Sequence, residues 1–188
     1  MSDRDLQSIL QKLRATSTYN DALPLLSQAK LTLLKLKALT PTPSTPPSTF
    51  SLAREVFEVG ALLSIRARDP AAFTRYKHLL TPFYELQSAS TSPSSRSEQG
   101  EKNKITGLYL LLLLTQGNYA GFHTELEGLE VRGEQVEGDK YLAYPIKLER
   151  WLMEGSYDLI WRAMAAGEVP SEEYAVFSEV EFSSLQTP

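Results

Sequence analysis

Apolar residues recur along this chain every three or four positions, the period that places them on one face of a helix. Leu6, Ile9, Leu10 and Leu13 form the first stripe, on a helix expected to open at Ser2 with Asp3 and Asp5 in its first turn, where the helix dipole favours acids. Leu23, Leu26, Ala29, Leu33 and Leu36 predict a second helix from about Tyr19 to Leu39. Val56, Val59, Leu62 and Leu63 predict a third, from about Ser51 to Ala67. Asp69-Pro70 then joins an N-cap to a proline at the first helical position, a well-specified helix start. Phe73, Tyr76, Leu79, Leu80 and Phe83 continue that fourth helix, with Pro82 expected to end or kink it.

A fifth helix, about Lys102 to Gln116, is apolar nearly all round and is therefore expected at the centre of the core. A sixth follows from Asn118 to about Val131, and Asp139 caps a seventh that ends at Gly155. Pro145 inside the seventh helix lacks an N–H, so it should free the carbonyl of Tyr141 and kink the helix. An eighth spans Ser156 to Ala166, and Val169-Pro170-Ser171 begins a ninth.

The punctuation between these helices repeats. Gly117-Asn118-Tyr119 and Gly155-Ser156-Tyr157 each end a helix on glycine, supply a polar cap and open the next helix with tyrosine. Tyr19, Pro70, Tyr119 and Tyr157 all stand where the second helix of a pair begins. The expected fold is therefore all-α: a right-handed, tetratricopeptide-like solenoid of stacked helical hairpins. Its expected organisation is an amino-terminal hairpin over 1–39, a Pro/Thr-rich linker over 40–49 and a helical-repeat region over 50–167. A disordered Ser-rich loop is expected at 87–100, and 168–188 starts a further helix and ends in a truncated tail.

Composition narrows the function classes. The net charge of −4 offers no basic field for nucleic acid. The charge is uneven: residues 1–48 hold six Lys/Arg against three acids, and no basic residue follows Arg162. With no cysteine, there can be no disulfide, thiolate nucleophile or Cys-ligated metal within this sequence. The longest apolar run, Leu108 to Leu114, is seven residues, far short of the roughly 18–20 needed to span a bilayer. The second helix has lysines beside its apolar stripe but no Trp or Phe anchor, so a membrane-surface role is not expected of it. With no signal peptide, the expected compartments are cytoplasm and nucleus.

Candidate chemistry is sparse. His78 and His123 belong to no HExxH pair, and His123 and Glu125, two apart on a helix, point to different faces. There is no nucleophile elbow, phosphate loop or dinucleotide fingerprint. No catalytic residue, cofactor, metal or small-molecule substrate is expected. The dense aromatics Tyr141, Tyr144, Trp151, Tyr157 and Trp161 are at helical spacing and predict core between hairpins. Among them Tyr141, Tyr144 and Trp151, with Arg150 as polar partner, are the candidate interface residues, since such types dominate protein-binding hot spots. The residues expected to shape the turns are Asp69, Pro70, Gly117, Tyr119, Gly155 and Tyr157.

Several stretches carry a resemblance: Phe57 to Arg66, Asp69 to Tyr76, Gly107 to Glu127, Tyr141 to Trp161 and Val169 to Ser178. Together they are similar to the PCI family, in particular its non-ATPase regulatory subunits of the proteasome lid. The resemblance implies a non-catalytic scaffold: a helical repeat followed by a winged helix, acting in lid assembly and ubiquitin-dependent degradation. It implies other lid subunits as partners, especially non-ATPase subunit three. The resemblance also implies a winged helix, which this chain is expected to lack because the sequence stops soon after Val180. The alternatives are a free tetratricopeptide-like adaptor, or a PCI subunit of the signalosome or of translation initiation factor three.

Overall fold

The computed structural model describes residues 2–16, 18–89, 96–131, 136, 138–166 and 169–176. The described residues form helices joined by turns, with no strand among them. The chain divides into two compact units, Met1–Ser94 and Ser95–Pro188.

The first unit holds α1 (Ser2–Ala15), α2 (Tyr19–Lys35), α3 (Pro47–Arg66) and α4 (Pro70–Ala89). The four apolar residues of α1 are all buried, as are Ala22, Leu26, Ala29 and Leu33 of α2. These two stripes close on each other, and both helices lie against α3, which pairs with α4. Arg14 pairs with Glu55 across α1 and α3. The core between α3 and α4 is aromatic: the Phe57 ring lies edge-on to Phe83 at 5.7 Å, and Phe50 tilts against the same ring at 5.2 Å. Beneath it Glu58 is buried, taking a 3.1 Å hydrogen bond from the Tyr84 hydroxyl and standing 3.5 Å from Nε of Arg54.

The second unit holds α5 (Arg96–Thr115), α6 (Tyr119–Val131), α7 (Lys140–Met153) and α8 (Tyr157–Ala165). A short helix over 172–176, α9, follows. The leucine-rich α5 packs against both α6 and α7, and α7 packs against α8. Two neighbours explain why the second half of α5 is apolar all round: Leu108, Leu110 and Leu111 to Leu114 are all buried.

Helix boundaries differ from the sequence reading at four places. α2 ends at Lys35 rather than about Leu39, because the left-handed Lys37 closes it. α3 starts at Pro47, inside the Pro/Thr-rich stretch, because a proline at the first helical position needs no N–H donor. Pro46 before it stays extended (φ −55°, ψ 137°), the conformation that a following proline imposes. Pro82 does not end α4, which runs through it to Ala89. Of the Ser-rich segment 87–100, residues 87–89 continue α4 and 96–100 begin α5, while 90–95 lie outside the described residues.

The α3–α4, α5–α6 and α7–α8 turns share one geometry. In α5–α6, Gly117 adopts φ +65° and donates to Leu114 O, while Asn118 donates to Leu113 O, a Schellman closure. Gly155 repeats it at φ +69° after α7, with Ser156 donating to Trp151 O. The same closure occurs after α3 at Arg68 (φ +57°) and after α2 at Lys37 (φ +54°), where no glycine marks it. The residue after each hairpin's left-handed position begins the next helix: Asp69 Oδ1 accepts from Ala72 N at 2.9 Å, and Asn118 Oδ1 from Gly121 N at 3.0 Å. One left-handed residue and one cap therefore suffice to reverse the chain between paired helices.

Candidate functional site

A polar constellation of the second unit lies where α5, α7 and α9 meet. It starts with Asp139, whose Oδ1 accepts from the backbone N–H groups of Tyr141 (2.8 Å) and Leu142 (3.3 Å) and so caps α7. Its other oxygen accepts from Asn103 Nδ2 at 2.9 Å, tying the start of α7 to α5. Asn103 is itself buried and accepts a 3.1 Å bond from Gln99.

Six residues into α7, Pro145 has no N–H to give the carbonyl of Tyr141. A buried carbonyl left without a donor costs about 1–3 kcal/mol. Here the donor comes from α9: the Tyr174 hydroxyl lies 3.0 Å from Tyr141 O. Lys104 O of α5 lies 3.2 Å from the same hydroxyl, so one proton is shared between carbonyls of two helices. The Tyr174 ring is fully buried between Tyr141 (6.0 Å, tilted) and Tyr144 (5.8 Å, edge-on). Beside it Glu173 Oε2 pairs with Lys104 Nζ at 3.0 Å, again joining α9 to α5.

Gly107 makes this approach possible. A Cβ on Gly107 would fall on the Tyr174 hydroxyl and on the Tyr141 carbonyl oxygen. Burial, followed by the nearby Asp139 carboxylate, pushes the Tyr174 phenol well above its ordinary value. It therefore stays a neutral donor, and the arrangement fastens α9 to α5 and α7.

The candidate interface residues separate in this frame. Tyr141 and Tyr144 spend ring area on Tyr174, and Lys140 Nζ stands 4.5 Å from the Tyr141 ring centre. Trp151 is half-buried, and the cation over its ring is Lys147 at 4.8 Å rather than Arg150, which is exposed in the last turn of α7. Tyr157 and Trp161, expected in the core, are exposed instead. They sit one turn apart on α8, while Ile160 and Ala163 take the inward face. Tyr119 is likewise exposed at the start of α6. Asp69 and Pro70 cap and open α4 in the first unit. His123 pairs with Glu149 of α7 at 3.5 Å, a partner that local spacing could not indicate. Among the described residues, no group of three His, Cys, Asp or Glu is placed to hold a metal ion.

Sequence reasoning identified the freed Tyr141 carbonyl but not its donor. Tyr174 lies 33 residues away from Tyr141, and 70 from Lys104. The available signal was a glycine in an otherwise bulky helix, facing a proline-freed carbonyl that required a partner.

Residues 101–179 match the model of the CSN8/PSMD8/EIF3K family, a span that includes Asn103, Lys104, Gly107, Asp139, Tyr141, Pro145, Glu173 and Tyr174. The chain is 35% identical over 166 residues to 26S proteasome regulatory subunit RPN12 of Saccharomyces cerevisiae, covering 86% of this chain and 59% of the relative. It is 33% identical over 186 residues to the Schizosaccharomyces pombe regulatory subunit rpn12 (99% of this chain, 64% of the relative). It is also 33% identical over 169 residues to 26S proteasome non-ATPase regulatory subunit 8 homolog A of Arabidopsis thaliana (88% and 60%). The chain thus spans less than two thirds of the length of these relatives.

Proposed function

We propose that this chain belongs to the CSN8/PSMD8/EIF3K family, whose model matches residues 101–179, and that it is a non-catalytic scaffold subunit of the proteasome regulatory-particle lid. In this reading it acts in lid assembly and ubiquitin-dependent degradation, in cytoplasm and nucleus. Its partners are other lid subunits, with non-ATPase subunit three as the nearest neighbour. The observation that carries the reading is identity of 33–35% extending over 86–99% of this chain to proteins named as proteasome regulatory subunits.

The geometry is compatible with such a role. Each unit pairs and stacks helices through side chains, and the second spends its buried polar groups on fastening three helices together. A scaffold needs surfaces held at fixed positions, which such fastening supplies.

The test is native mass spectrometry of complexes purified through a tag on this chain from expressing cells. The expected result is stoichiometric co-purification of lid subunits. Recovery of the chain alone, or with signalosome or initiation-factor subunits, would overturn the proposal.

A further inference from the structure

α2 has two apolar faces, and packing inside the first unit uses only one. Ala22, Leu26, Ala29 and Leu33 turn inward and are buried. Leu23, Leu31 and Leu34 turn outward, at 42%, 59% and 59% exposure. At 100° per residue these three fall within one sector of the helix, together with Pro24 and Ser27. The stripe is about 16 Å long, three helical turns. Isolated exposed leucines are ordinary, but three on one sector form a surface.

After Asp21 in its first turn, the charges that α2 carries are of one sign. Between Ala22 and Ser48 the chain has three lysines and no acid. Lys30 borders the stripe on one side, its ammonium held 4.4 Å from the Tyr76 ring centre. Lys35 borders it on the other side, and Lys37 follows at the left-handed helix end, both exposed. An occupant would meet leucine along its middle and positive charge along both margins.

We propose that the outward face of α2, built from Leu23, Leu31 and Leu34 between Lys30 and Lys35, docks an acidic amphipathic helix of a partner protein. Charge complementarity selects the sign of the partner, and the apolar stripe supplies the contact area. The proposal rests on the exposure and charge of α2 and not on the proteasome reading.

The test uses the full chain and two fluorescein-labelled designed helical peptides, identical in their leucine stripe but flanked by Glu in one and Lys in the other. Fluorescence anisotropy should show saturable binding of the Glu peptide, with the Lys peptide weaker by about tenfold or more. Leu31→Ser and Leu34→Ser should each weaken the Glu peptide by about tenfold, with circular dichroism and thermal midpoint unchanged. Lys35→Glu should shift preference toward the Lys peptide. Equal binding of both peptides, or indifference to both leucine substitutions, would overturn the proposal. So would co-sedimentation with phosphatidylserine vesicles that Leu31→Ser abolishes, or a dimer in analytical ultracentrifugation that the same substitution dissociates.

Discussion

Gly60 in α3 faces the ring of Tyr76, whereas Gly107 in α5 faces the hydroxyl of Tyr174 and the carbonyl which that hydroxyl serves. In the first unit, a Cβ on Gly60 would lie 2.7 Å from Cε1 of Tyr76, a buried side-chain ring that would have to shift. In the second unit, the obstruction includes backbone that α7 holds in place. The first contact is packing between apolar surfaces. The second is a hydrogen bond that replaces a donor removed by Pro145. Glycine has the same appearance in both helices, but it answers to shape in one unit and to polar satisfaction in the other.

Substituting the two glycines should expose this difference most strongly. Gly107→Ala should lower stability by about 3 kcal/mol, combining overpacking with a displaced donor, as read from urea denaturation midpoints. Gly60→Ala should cost only about 1 kcal/mol, since the Tyr76 ring can shift and alanine is the better helix former. Equal costs would mean that the two contacts are of one kind.

Removing the hydroxyls should separate the tyrosines themselves. Tyr174→Phe should cost about 2 kcal/mol, because the Tyr141 carbonyl is left buried without its donor. Tyr76→Phe should change stability by no more than about 0.5 kcal/mol, since its ring is what meets Gly60 and Lys30. The Tyr174 contact should also respond to alkali. Its folded pKa is raised, so its contribution is fully present below the unfolded value of about 10 and is lost as pH rises beyond it. Above about pH 10 the wild type should lose roughly 1.4 kcal/mol more per pH unit than Tyr174→Phe, measured by denaturation across pH 9–11.

A glycine kept for its backbone angle should behave as a third kind. Gly155 has φ +69° and nothing within 4 Å of its Cβ position, so only conformation is at stake. Gly155→Val should cost about 1–2 kcal/mol. At the equivalent helix end after α2, Lys37→Gly should stabilise by about 0.5 kcal/mol, since it relieves a left-handed residue that carries a Cβ. Both can be read from thermal midpoints.

These cases also mark what the sequence discloses. The helices are legible because their signals are local: the α1 stripe, the Asp69-Pro70 start and the cap at Asp139 each lie within a few residues. The left-handed ends at Lys37 and Arg68 are not legible, since nothing in either residue announces positive φ. The start of α3 at Pro47 was obscured because proline forbids a helix interior and favours its first position. On α2, leucines occur on both sides, so periodicity alone assigned Leu23 to the inward stripe that Ala22 occupies. The Tyr174 constellation draws on three helices, and residues as far as 70 apart in sequence become adjacent only after folding. The exposed Tyr157 and Trp161 show the same dependence on which face of α8 meets α7.

The most direct test of the claim that Tyr174 stands in for the donor missing at Pro145 is a double-mutant cycle on Pro145→Ala and Tyr174→Phe. In Pro145→Ala the restored N–H can satisfy Tyr141 O from within α7. Removing the Tyr174 hydroxyl in that background should then cost at least about 1 kcal/mol less than it does in the wild type. If the cost of Tyr174→Phe is the same with and without Pro145, the hydroxyl is not replacing that donor, and the account of this site is wrong.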